Sequence, residues 1–118
     1  MAKPVGPYTP IVRAGEWLVV SGQVGIADGK LVTGGLEAEL RQAIANLAAL
    51  LTSEGASLSD VTKTTVFLKH LGSDYARMND VYIELFGDHR PARSAIGVDD
   101  LPIGALVEVE AWAHVGAG

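Results

Sequence analysis

Cysteine is absent from the 118 residues, which removes a disulfide framework, a thiol nucleophile and any cysteine-bearing metal site. Metal-ligand spacing is missing too. His70, His89 and His114 stand far apart, as structural or surface histidines usually do, so no metal is expected. No apolar run approaches a membrane span, and the opening Met1-Ala2-Lys3-Pro4 has no apolar export core. A cytoplasmic location without a membrane partner is the expectation. Basic charge is scarce: nine Lys and Arg face fourteen Asp and Glu, for a formal net charge of −5. With no basic field to attract phosphate backbones, nucleic acid is a disfavoured partner. Repeats, low-complexity tracts and charge blocks are also lacking, and residues 1–118 are expected to form a single domain.

What is present is apolar. Hydrophobic residues make up 48% of the chain and charged residues 19%, the balance of a folded protein with a real core, small enough to gain from association. Ile11 to Arg13, the Ala14-Gly15 turn and Trp17 to Gln23 predict a β-hairpin. Gly25 to Gly35 predicts a loop, with Asp28-Gly29 and Gly34-Gly35 as turn signals. Leu36 to Glu54 predicts the clearest helix, since Leu36, Leu40, Ile44, Leu47 and Leu51 recur at helical spacing and Gly55 follows as a cap. Asp60 to Lys69 is rich in β-formers. A second helix is predicted from a Ser73 cap through Tyr75, Met78, Tyr82, Leu85 and Phe86 to Gly87. Two strands close the chain. The order β-β-α-β-α-β-β predicts an α+β mixed sheet with two helices on one face. Phe67, Leu106 and Trp112 put apolar groups on both sides of that sheet, so a second copy is expected over the uncovered side.

The last two strands carry the charged groups of interest. In Leu106-Val107-Glu108-Val109-Glu110-Ala111-Trp112, period two sets Glu108 and Glu110 on one face with Leu106 and Trp112, and small apolar residues on the other. Folded as a hairpin about Asp100-Leu101, Arg93 falls directly across from Glu108. Ala95 and Gly97 leave the floor beside the guanidinium bare. An arginine fork, a carboxylate and free volume suit a small anionic ligand; a mutually neutralising buried ion pair is the other reading, and the commoner one in proteins.

Gly6-Pro7-Tyr8, Ser21-Gly22-Gln23, Lys63-Thr64-Thr65-Val66-Phe67-Leu68, Pro91-Ala92-Arg93-Ser94 and Val107-Glu108-Val109-Glu110-Ala111 together resemble the RidA/YjgF family over nearly the whole chain. The Pro-Ala-Arg-Ser segment combined with the spaced Glu-x-Glu-Ala is the specific part. The resemblance implies a chorismate-mutase-like subunit that assembles as a homotrimer around a central barrel, with ligand clefts between neighbours. It implies hydrolysis of 2-imino acids, formed from 2-aminoacrylate-type enamines, to 2-keto acids and ammonia, with no cofactor. By position, Arg93 matches the arginine that binds the substrate carboxylate and Glu108 the glutamate that handles water; Tyr8 matches a cleft tyrosine and Gly22 a backbone position lining the pocket.

Two departures stand out. Many relatives carry cysteine two residues after the arginine, where this chain has Ala95, and the connection Gly87 to Arg90 is short. Two other functions are compatible with the same resemblance: a non-catalytic module that binds keto or amino acids, and an endoribonuclease or translation inhibitor. The acidic balance and the lack of a basic, aromatic platform count against the last.

Overall fold

A computed structural model describes residues 6–116; the Met1-Ala2-Lys3-Pro4 stretch read above for an export signal lies outside them. Strands β1 (Ile11–Ala14) and β2 (Trp17–Gln23) form the predicted N-terminal hairpin, turning at Gly15 with φ 61°. The predicted loop that follows is largely a small ribbon, β3 (Ile26–Ala27) and β4 (Lys30–Leu31). Asp28 and Gly29 both have positive φ at its tip, the backbone that a two-residue hairpin turn demands. Two-residue strands leave too little alternation to be read in advance.

Helix α1 (Gly35–Ser53) turns Leu36, Leu40, Ile44, Leu47 and Leu51 inward. It ends where Gly55 adopts φ 76°. There Ala56 N–H donates to the Leu51 carbonyl at 2.9 Å and Gly55 N–H to that of Thr52 at 3.0 Å. This is the paired closure that a left-handed glycine permits. After a short 3₁₀ turn (Leu58–Asp60) come β5 (Val61–Leu68), α2 (Leu71–Phe86), β6 (Ala92–Gly97), a second 3₁₀ turn (Pro102–Gly104) and β7 (Val107–His114). Helix α2 starts two residues before the predicted Ser73 cap; His70 is its N-cap and makes no side-chain capping bond.

The main sheet has the order β1-β2-β7-β5-β6. Strands β5 and β6 are parallel, and the other pairs are antiparallel. Both helices lie on one face over Leu18, Val20, Val66, Leu68, Val107, Val109, Ala111 and Ala113, all buried. The two buried polar residues on that side are matched: Thr64 Oγ1 and Tyr82 OH share a 2.7 Å hydrogen bond, and Glu39 accepts the Leu106 N–H at 2.8 Å.

The predicted C-terminal hairpin does not form. Strand β5 lies between β6 and β7, because α2 serves as the crossover that returns the chain parallel to β5. Arg93 is therefore level with Thr64, and Glu108 with Phe67. Those β5 residues are three apart, an odd step, so Arg93 and Glu108 point to opposite faces of the sheet. They are not cross-strand partners.

Candidate functional site

Arg93 projects from an edge strand toward the helix side, on the face shared with buried Thr64. Helix α2 brings Tyr75, Met78 and Tyr82 to it, residues three, four and seven apart and thus on one helical face. The guanidinium donates to Tyr75 OH at 3.2 Å and to Met78 Sδ at 3.7 Å. Its central carbon lies 5.0 Å from the Tyr82 ring centroid and 5.7 Å from that of Tyr75. Ring faces attract such a cation, yet they supply no counter-charge. Among the described residues Arg93 makes no ion pair. The guanidinium opens onto a cleft of about 520 Å³ lined by Leu71, Gly72, Tyr75, Arg93 and Ala95. A fixed, partly buried cation with unused donors beside free volume has the geometry to receive a carboxylate.

Tyr82 is held in turn by Thr64, which explains a hydroxyl in an otherwise apolar row. Burial pushes its phenol pKa up, with Thr64 and the nearby Arg93 and Arg90 opposing the shift. The phenol stays neutral and offers its ring to Arg93.

Glu108 occupies the sheet's other face, partly buried. The neighbouring β2 strand is irregular between Val20 and Gln23, and Gly22 lies against the glutamate so closely that a Cβ there would be 2.6 Å from its carboxyl carbon. Burial raises the Glu108 carboxyl above the usual range, and repulsion from Glu110 adds to the rise. A carboxylate so shifted is a better proton acceptor than an ordinary one. Ser21 Oγ donates to the Thr9 carbonyl at 2.7 Å and Ser21 N–H to that of Pro10 at 2.8 Å, tying the segment that carries exposed Tyr8 to the strand that carries Gly22.

The expected site residues thus fall into two groups. Gly22 and Glu108 touch, with Tyr8 on the segment tied beside them; Arg93 and Ala95 share the helix side. One chain does not join the groups, which corrects the expected Arg93–Glu108 pairing. Tyr75, Met78 and Tyr82 enter the sequence reading only as positions of the second helix, which does not disclose their place around Arg93; their shared face was the available signal. His89, grouped above with structural or surface histidines, hydrogen-bonds the Val61 carbonyl at 2.7 Å and serves the fold.

The endoribonuclease L-PSP family model matches residues 1–115. The chain belongs to the RidA/YjgF family. A RutC family protein from Pyrococcus horikoshii is 44% identical, covering 95% of this chain and 90% of that protein. Mouse 2-iminobutanoate/2-iminopropanoate deaminase is 40% identical, covering 95% and 84%. Among solved structures, RidA from an Antarctic Psychrobacter superposes with a TM-score of 0.91 at 35% identity, covering 96% of this chain and 92% of that one. Escherichia coli TdcF with bound serine gives 0.89 at 31% identity, covering 96% and 91%. The α+β architecture of this RidA/YjgF chain, with two helices on a mixed sheet, is that of these structures.

Proposed function

We propose that this protein hydrolyses 2-imino acids to 2-keto acids and ammonia, at a site built from Arg93 of one copy and Glu108 of a neighbour, with Tyr8 and Gly22 on the Glu108 side. The observation that carries the reading is the half-buried Arg93 guanidinium without an acidic partner, fixed by Tyr75, Met78 and Tyr82 at the edge of an open cleft. The names borne by relatives of 37–40% identity point the same way, as does a neighbour structure holding an α-amino acid.

A 2-imino acid has a carboxylate beside an electrophilic C=N carbon. The guanidinium takes the carboxylate at both oxygens and so orients that carbon. Glu108 accepts a proton from water as its oxygen bonds to the carbon and the C=N π pair moves to nitrogen. That proton passes to nitrogen to give the carbinolamine; Glu108 then takes the hydroxyl proton and delivers it to nitrogen as the C–N bond breaks, so ammonia leaves and the keto oxygen remains. Uncatalysed hydrolysis is already facile, so orientation and one base suffice, with no cofactor in the scheme.

Assembly is part of the reading, because the two groups lie on opposite faces of one sheet. The uncovered face exposes Val12, Trp17, Ile96 and Trp112, an apolar set that a second copy would bury; the family resemblance makes the assembly a homotrimer around a central barrel. A cytoplasmic setting belongs to the same proposal. Endoribonuclease action finds less support, since a net charge of −5 and the Glu108–Glu110 pair repel phosphate.

The test supplies imine from an active serine or threonine dehydratase and follows 2-keto acid release. The native protein should accelerate it, and Arg93→Ala should lower kcat/KM about a thousandfold, some 4 kcal/mol of lost orientation. No acceleration by native protein, or full activity in the variant, refutes the site. Thermal stabilisation by pyruvate without turnover assigns the cleft to binding instead.

A further inference from the structure

We infer that the cleft beside Arg93 selects 2-imino acids with bulky apolar side chains over the alanine-derived one. The inference rests on the reading above, in which Arg93 holds the substrate carboxylate.

The cleft runs between edge strand β6 and the first two turns of α2. Arg93, Ala95 and Gly97 share one face of β6, and alternate residues lie about 6.6 Å apart along a strand. The far end is closed at Gly97, where an added Cβ would meet Leu71 Cβ at 3.1 Å. Between the two ends the walls are small. Ala95 offers one methyl group, and a Cβ on Gly72 would find nothing within 4 Å. All the polar side-chain atoms of the lining are at one end, in Arg93 and in the Tyr75 hydroxyl that Arg93 already engages. Leu71, Gly72 and Ala95 contribute none.

Size and chemistry then agree. A six-atom imino acid displaces on the order of 100 Å³, the space of about three waters, whereas the cleft holds about 520 Å³. A neighbouring copy that filled half of it would leave room for a leucine-sized side chain. A polar side chain entering that stretch gives up water for walls that return no side-chain hydrogen bond, while an apolar one gains by burial. With the carboxylate on Arg93, a side chain that runs along Ala95 and Gly72 toward Leu71 meets only apolar side chains.

The experiment generates imines from leucine, phenylalanine, alanine and aspartate with amino acid oxidases and catalase, at matched imine flux. Semicarbazide traps whatever imine the protein leaves. The native protein should suppress semicarbazone from the leucine or phenylalanine imine with kcat/KM about tenfold or more above that for alanine, the scale set by a few methylenes in an apolar pocket. Ala95→Leu and, separately, Gly72→Val on the exposed helix turn should each cut the leucine-to-alanine ratio about tenfold. Faster turnover of the alanine or aspartate imine by native protein, or a ratio unmoved in both variants, overturns the selectivity. Acceleration of no imine at all rejects the deaminase reading instead, so the two failures are distinguishable.

Discussion

The two faces of the main sheet are built on opposite terms. Under the helices, Val66, Leu68, Val107, Val109 and Ala111 are completely buried, and the two buried polar residues there are matched, Thr64 by Tyr82 and Glu39 by Leu106. Arg93, at the edge of that side, is the exception, a cation surrounded by rings and a thioether. The other face keeps Trp17, Trp112 and Ile96 exposed and sets Glu108 beside Glu110. Among the described residues Arg93 has no carboxylate paired with it and Glu108 no cation. The difference teaches why the proposed site needs two copies: each face offers the group that the other lacks, and one sheet cannot bring them together.

The largest effect comes from separating the two faces genetically. Arg93→Ala and Glu108→Gln should each cost activity heavily, the first about a thousandfold and the second about a hundredfold, the span typical of orientation and general-base losses. Co-expressed in equal amounts, the two inactive chains should recover about a quarter of native activity, because each site draws its arginine and its glutamate from different copies and half of each are intact. No recovery in the mixed assembly means that the two groups do not meet in a site shared between copies, and breaks the comparison.

A smaller loss should follow Gly22→Ala. The new Cβ falls within 2.6–2.9 Å of the end of the Glu108 side chain, and this flexible end can swing away. Stability should change by less than about 1 kcal/mol, while kcat/KM falls roughly tenfold as the carboxylate leaves its place. Activity kept at the native level would separate Glu108's position from the chemistry.

The element order was legible because its signals are local. Helix α1 follows from Leu36, Leu40, Ile44, Leu47 and Leu51 with Gly55 behind them, and β5 from its run of β-formers. Face assignment within β7 was legible as well, since Val107, Val109, Ala111 and Ala113 are all buried. Strand order was not. Which strand lies beside β6 depends on where α2 deposits it, and the nine residues from Val98 to Leu106 were compatible with a hairpin that the fold does not make. A correct reading of each strand's alternation then gave a wrong relation between two strands, and Arg93 was paired with the wrong residues. The arginine's importance was visible in Pro91-Ala92-Arg93-Ser94; the rings that hold it were visible only as a helical stripe.

On the covered face, the buried Thr64–Tyr82 bond offers a subtler test. Removing one partner strands the other's hydroxyl away from water, so Thr64→Val or Tyr82→Phe should each cost about 1–3 kcal/mol. The double variant should lose little more than either alone, leaving no orphan. Additive losses in denaturant melts would mean that the pair is not a unit. Because the Tyr82 ring also underlies Arg93 at 5.0 Å, Tyr82→Leu, which removes the ring, should raise KM with kcat nearly kept, as expected when ground-state and transition-state binding suffer together.

The smallest effect concerns Glu108's charge. Its carboxyl is raised by burial and by Glu110, so between the unfolded and folded pKa values the folded chain holds a proton that the unfolded chain has released. Stability therefore falls as pH rises through that window and stays lower above it. Glu108→Gln, which does not titrate, should melt higher than its parent at pH 8, with the gain fading below the unfolded carboxylate value of about 4.3. If a neighbour's Arg93 lies beside Glu108, as proposed, its guanidinium opposes the shift, and the gain should be larger in an Arg93→Ala background than in the native one. An identical gain in both backgrounds would mean that Arg93 and Glu108 never approach each other across the interface, however the copies pack.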